Sequence, residues 1–217
     1  MKPFLFAILL FTLSACRENH SWHQKLTLVV DTPQGEVTGS SVVEVRVSFY
    51  DPPSFGTEVA YELTGEATVV EVLPGRYLFA LMGDSEERFF RATKDRFVGM
   101  KRGEWLRAIP DQTEPVVLTG DLIPMLVTFD DITDPQSVQL VDPADLAASF
   151  GPGVGLKAVL LEVTEEPVTG GRVEVILGWL REVSPNRLDG QRFGNADASN
   201  RLANSLSAHS FSTEISE

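Results

Sequence analysis

Between residues 36 and 50 the chain alternates: Val43, Val45, Val47 and Phe49 are apolar, and Glu44, Arg46 and Ser48 between them are polar. A period of two places the valines on one face and the charges on the other, which predicts a strand with one buried and one wet side. Gly39 in the same run marks an expected bulge or bend. Residues 26–30 read as the preceding strand, joined through Thr32-Pro33-Gln34-Gly35, where Pro presets φ and Gly closes the turn. Residues 51–56 read as a loop, because Pro52 and Pro53 remove donors that a ladder needs. Residues 59–63, 67–73 and 76–82 continue as strands, with Pro74 and Gly75 at the two central positions of a type II turn.

The pattern changes at residue 84. Phe89, Thr93, Phe97 and Met100 recur at spacings of four, four and three, which predicts a helix with one apolar face over 84–107, its end blurred by Gly99 and Gly103. Strands follow at 116–118, 124–129, 138–141 and 156–163. Asp142 with Pro143 is expected to cap a short helix that Gly151-Pro152-Gly153 stops. Residues 172–177 are expected to pair with 156–163 across Gly170-Gly171, a turn that needs positive φ. The Ser- and Asn-rich remainder predicts a loosely ordered arm over 184–217 with one short helix near 198–206. The expected fold is thus mainly β: antiparallel, sandwich-like sheet or sheets with a few short helices. A β-rich region spans 25–183, and it divides into one unit or two (25–83 and 116–183, joined by the helical 84–107).

The first 15 residues are of another kind. Lys2 supplies one positive charge and residues 4–13 are apolar apart from Thr12. That run is shorter than the ~20 residues needed to cross a bilayer and matches the h-region of an export signal. It ends in Leu13-Ser14-Ala15-Cys16, and Cys16 is the single cysteine of the chain. This ending resembles the lipobox of bacterial lipoproteins. The resemblance implies removal of residues 1–15, a glyceride on the Cys16 sulfur, acyl chains such as palmitate, and a short lipidated tether over 16–24. Because each buried CH₂ contributes roughly 0.8 kcal/mol and a single chain holds weakly, several chains on one residue make a lasting anchor. Arg17 stands where an aspartate would favour retention in the inner membrane, so the expected location is the outer membrane of a Gram-negative envelope, facing the periplasm. The alternative is an incidental cysteine after a plain signal. Trp22, just beyond, is expected to pack on the first strand, with headgroup contact as the alternative.

Charge narrows the partners. With 18 basic and 31 acidic residues the formal net charge is -13, and a nucleic-acid partner would need a basic stripe that displaces counterions. The one basic cluster, Arg88, Arg91, Lys94, Arg96, Lys101, Arg102 and Arg107, is interleaved with acids and reads as a solvated face, an anion or lipid-headgroup contact being the alternative. No nucleic-acid partner is expected. A lone cysteine also leaves no pair for a disulfide.

The block of residues 124–171 carries, in order, the segments PMLVTF, DP, SV, VDP, DLA and FGPG. In this it resembles a group of uncharacterised exported proteobacterial proteins, a likeness that implies export and supplies no activity. Other chemistry finds little purchase. GPGVGLK at 151–157 misses the GK[ST] that opens a helix in a phosphate-binding loop. There is no GxSxG, SxxK or HExxH. His20 and His23 fall in the tether and His209 in the arm, too scattered for a triad or zinc site. Asp130, Asp131, Asp134, Asp142 and Asp145 lack the spacing of a calcium loop and read as turn and cap residues. The expectation is therefore a lipid-anchored envelope protein with a non-catalytic binding or assembly role and an unknown envelope partner. Cys16 is its one assigned site residue; no catalytic residue, cofactor or metal is assigned. The alternatives are a periplasmic hydrolase without a recognised motif and a carrier of a small ligand or cation.

Overall fold

The computed structural model describes residues 16–54 and 57–215; the expected signal segment 1–15, two residues of the expected loop (Phe55 and Gly56) and the last two of the expected arm lie outside the described residues. It is mainly β, with two antiparallel sheets and six short α-helices among the described residues. The first sheet has the order β3-β2-β1-β9-β6, built from β1 (Cys16–Thr32), β2 (Gly35–Ser54), β3 (Thr57–Thr64), β6 (Val116–Val117) and β9 (Gly155–Thr164). The second has the order β4-β5-β7-β8, from β4 (Thr68–Leu73), β5 (Arg76–Ala80), β7 (Leu126–Phe129) and β8 (Val138–Val141). Strands from both halves of the chain meet in each sheet, since β9 pairs with β1 and β7 with β5. The division at 84–107 is therefore not a division of the fold.

The alternation in β2 does what a period of two requires. Trp22, Leu26, Leu28 and Val30 of β1 and Val43, Val45 and Val47 of β2 are buried between the sheets, against Val70, Val72, Leu78, Ala80 and Leu126 of the second. The strand pair runs from Cys16↔Asp51 to Thr32↔Gly35 without a shift, so Gly39 marks no bulge. A Cβ at Gly39 would lie 2.1 Å from the Val69 carbonyl oxygen, so glycine is there to let the two sheets approach. β2 also runs on past Pro52 and Pro53 to Ser54, its ladder to β3 broken between Phe49 and Ser54 where those donors are missing. The expected tether is strand too, because β1 begins at Cys16. Gly75 has φ +72°, as the type II turn demands.

The second sheet is covered on both faces. Ala67, Val69, Phe79, Leu81, Val127 and Phe129 point away from the first sheet into a second core, closed by Val173, Leu177, Leu180, Leu188, Ala203, Leu206 and Phe211. Residues 184–215 are thus a packed third layer rather than a loose arm. The chain from α4 (Arg172–Ile176) and α5 (Leu180–Val183) to α6 (Arg201–Ser205) lies over β4, β5, β7 and β8. Residues 172–176 form a helix where a strand was expected. Val173, Leu177 and Leu180 are fully buried and Val175 is 84% exposed, a spacing that a helix places on one face and a strand would not. The last strand-like stretch runs antiparallel to 65–67: Ala67 N–H donates to Phe211 O (2.7 Å) and Thr213 N–H to Gly65 O (2.9 Å).

The expected helix over 84–107 is split into α1 (Ser85–Thr93), a 3-10 turn (Lys94–Phe97) and α2 (Arg102–Ala108). Gly99 at φ +90° turns the chain between them, and the apolar face runs through buried Thr93 to half-buried Phe97, leaving Met100 exposed. The helix after Asp142 begins later than expected: α3 (Leu146–Phe150) is capped by Asp145, which accepts from Ala148 N–H, while Asp142 closes the preceding turn.

Candidate functional site

Four places could carry chemistry or binding: each end of the β1–β2 pair, a groove beside the C-terminal layer, and a polar seam between the sheets. Cys16 stands at one end of the pair, opposite Asp51, and Thr32↔Gly35 at the other. At ~3.3 Å per residue these ends are roughly 50 Å apart. Beside the Thr32 end lies an open groove of about 420 Å³ lined by Thr32, Gln34, Val37, Glu71, Leu73 and Pro74, where the β1–β2 and β4–β5 turns come together. A second open groove, about 350 Å³, is lined by Leu63, Met82, Met125, Leu206 and His209. Trp22 is buried in the core and gives its indole N–H to Gln24 Oε1 (3.1 Å), so it packs on its own sheet.

The seam was not legible in sequence. Gln24 is a fully buried polar position in the inward row Trp22, Leu26, Leu28 and Val30 of β1, and its amide donates to the Ser85 carbonyl at the start of α1 (2.8 Å). Arg88, one turn on, is 3% exposed and not part of a solvated face. Its guanidinium donates to Asp84 Oδ1 (2.6 Å) and Ser85 Oγ (2.8 Å). Burial lowers its pKa from the ordinary arginine value, and Asp84 opposes that shift. Between Gln24, Ser41, Glu66, Thr68, Ser85 and Arg88 a cavity of about 10 Å³ remains. That is room for about one water-sized probe and no substrate. The seam anchors α1 to the sandwich.

Glu66 closes the other side of this seam. It is 2% exposed, and its carboxylate accepts from Val173 N–H (2.9 Å), fastening α4 to the start of β4. Burial raises its pKa, the Val173 N–H opposes that, Glu174 adds to the rise and Arg172 to the opposition. A carboxyl whose pKa is raised by folding binds its proton more tightly in the folded state, so stability falls as pH climbs from the ordinary carboxylate range through the folded value. Glu66→Gln keeps an oxygen for Val173 N–H and removes the charge. The variant is expected to melt a few degrees above the parent at neutral pH, with the difference vanishing below the ordinary carboxylate range. Melting curves across that interval check it, and an unchanged melting temperature at neutral pH counts against the assignment.

The other sequence candidates are accounted for locally. Asp131 accepts from Thr133 N–H and Oγ1–H, which hold its pKa low. Asp134 accepts from Gln136 N–H, Asp142 from Ala144 N–H, and Asp130 from the Gln139 amide. Among the described residues no three metal-ligating side chains gather. Lys157 of the GPGVGLK stretch sits on β9 beside Glu36 and Asp31, with a raised pKa caused first by its hydrogen bond to Glu36. His20 stacks edge-on against Phe49, His23 bonds the Glu166 carbonyl (2.7 Å) and His209 lies in the C-terminal layer, so the three are not brought together.

No family model, curated protein or solved structure matches the chain. Function is therefore argued from these residues alone. Arg88 and Glu66 were missed because a single buried charge leaves no periodic trace; the one usable signal was Gln24, a polar residue at an inward position of a regular strand.

Proposed function

We propose that this chain is a cell-envelope lipoprotein, held in the outer membrane through acyl chains on Cys16 and displaying an acidic β-sandwich to the periplasm in a non-catalytic binding or assembly role. The observation that carries the reading is Leu13-Ser14-Ala15-Cys16, which places the chain's only cysteine directly after a short apolar run. Two structural facts support it. Cys16 lies at one extreme of the longest strand pair, so a lipid there leaves the opposite extreme, with its groove between two turns, far from the bilayer. The polar clusters described above are engaged in caps, turns and packing.

The test is the mass of the mature N-terminus. An N-terminal peptide beginning at Cys16 with diacylglyceryl and amide-linked acyl additions is expected, and Cys16→Ala is expected to abolish both the additions and membrane fractionation. A free thiol at Cys16, or a mature chain starting elsewhere, overturns the reading. Crosslinking from the Gln34 end in intact cells should then return the same envelope component repeatedly, and its failure to do so removes the assembly role.

A further inference from the structure

We infer that the turn between α1 and α2, residues 94–101, rests on an anionic bilayer surface, with Val98 and Met100 entering the headgroup layer and Lys94, Arg96 and Lys101 facing lipid phosphates. This rests on the reading that Cys16 is lipidated. Three observations lead there.

The first is position. α2 packs on the Cys16 end of the first sheet: the Arg107 guanidinium carbon lies 4.1 Å from the centre of the Phe49 ring, and Arg102 donates to the Tyr61 hydroxyl (2.9 Å). Phe49 pairs with Glu18 and Tyr61 with Val47, itself opposite His20, so the two contacts of α2 lie two and four residues from Cys16, ~7 and ~13 Å along the strand from the level of the anchor. The turn enters α2 directly, Lys101 being the residue before it. A surface tethered that near is inside or close to the ~8–10 Å over which charge acts at physiological salt.

The second is apolar exposure. Val98 is 86% and Met100 44% exposed at the tip of the turn, while Phe97 next to them packs on Trp105. An aliphatic tip held by an aromatic base and flanked by cations suits the boundary between headgroups and acyl chains, where side chains with an apolar body and a charged end are favoured.

The third is charge. In a chain of net charge -13, residues 94–107 carry five basic side chains and two acidic ones. Arg102 is paired with Glu87, and Arg96 lies 3.9 Å from Glu114. Lys94 and Lys101 are exposed and have no ion pair among the described residues. An otherwise acidic body would be repelled by an anionic membrane, and the basic turn lies at the end where contact is obligatory.

The test uses the full lipidated protein, purified in detergent and reconstituted into vesicles of phosphatidylethanolamine and phosphatidylglycerol containing nitroxide-labelled lipid. With Cys16 acylated, Val98→Cys and Gln34→Cys each offer a single thiol for an environment-sensitive fluorophore. The expected result is several-fold stronger quenching and a blue shift at position 98 compared with position 34, both reduced by Lys94→Glu with Lys101→Glu and in vesicles of phosphatidylcholine alone. Equal quenching at the two positions in a protein whose Cys16 is acylated overturns the inference and leaves the anchor standing. Quenching that is indifferent to both charge changes overturns the role given to anionic headgroups. If the fluorophore instead reacts with Cys16, the lipid reading fails and this inference with it.

Discussion

Phe211→Ala is expected to lower stability by about 3–5 kcal/mol, the range for truncating a buried aromatic. Phe211 is fully buried and its ring meets Phe79 (5.9 Å, 80°) and Phe129 (6.0 Å, 39°), the two aromatics that project from the second sheet. Its carbonyl also receives the Ala67 N–H, so the backbone on either side cannot move in to fill the space without losing that bond. In a domain of this size a loss of about 1 kcal/mol shifts the melting temperature by ~2–4 °C, so a drop on the order of 10 °C should be seen by calorimetry. A loose C-terminal arm would show almost no change. Amide exchange separates the cases further: residues 203–213 should be protected in the parent and lose protection first in the variant.

Arg88→Ala is expected to cost about 1.5–3 kcal/mol, because it removes charge-assisted hydrogen bonds from a buried side chain and opens space there. Here it would deprive Asp84 Oδ1 and Ser85 Oγ of their donor and enlarge the cavity beside Gln24. Arg88→Lys restores the charge but reaches with one compact group where the guanidinium bonds two acceptors at once, and should recover less than half of the loss. Asp84→Ala should be milder, since Asp84 is half-exposed and its other partner, Arg91, can turn to Asp121. Denaturant melts of the three variants check the order. A solvated Arg88 would give values within about 0.5 kcal/mol of the parent.

How far the fold could be read from the residues depended on how many faces of each strand are wet. β1 and β2 have one solvent face, so Glu44, Arg46 and Ser48 report the period and the strands fall where the alternation places them. The second sheet is buried on both faces, and runs such as 78–82, apolar throughout, and 126–129, apolar but for Thr128, identify strands and hide the layer beyond them. That hidden layer is why Leu188, Leu206 and Phe211 looked like stray apolar residues in a polar tail: their partners are on β5 and β7, more than a hundred residues earlier for Phe79. At 172–177 the alternating letters suggested a strand, and tertiary burial of Val173, Leu177 and Leu180 decided for a helix. Gly39 was legible as special and its reason was not, since a carbonyl from the other sheet is invisible in local sequence. Of the candidate sites, Cys16 rests on a sequence signature, whereas Arg88 and Glu66 emerge only when α1 and α4 are seen docked.

The first sheet pairs strands more than a hundred residues apart along the chain, His23 meeting Thr164 and Val29 meeting Ala158. The β1–β2 pair cannot gain its neighbour on the other side until β9 has been synthesised. Such wide-spaced pairing slows folding, because loop-closure entropy is spent before the contacts that repay it can form.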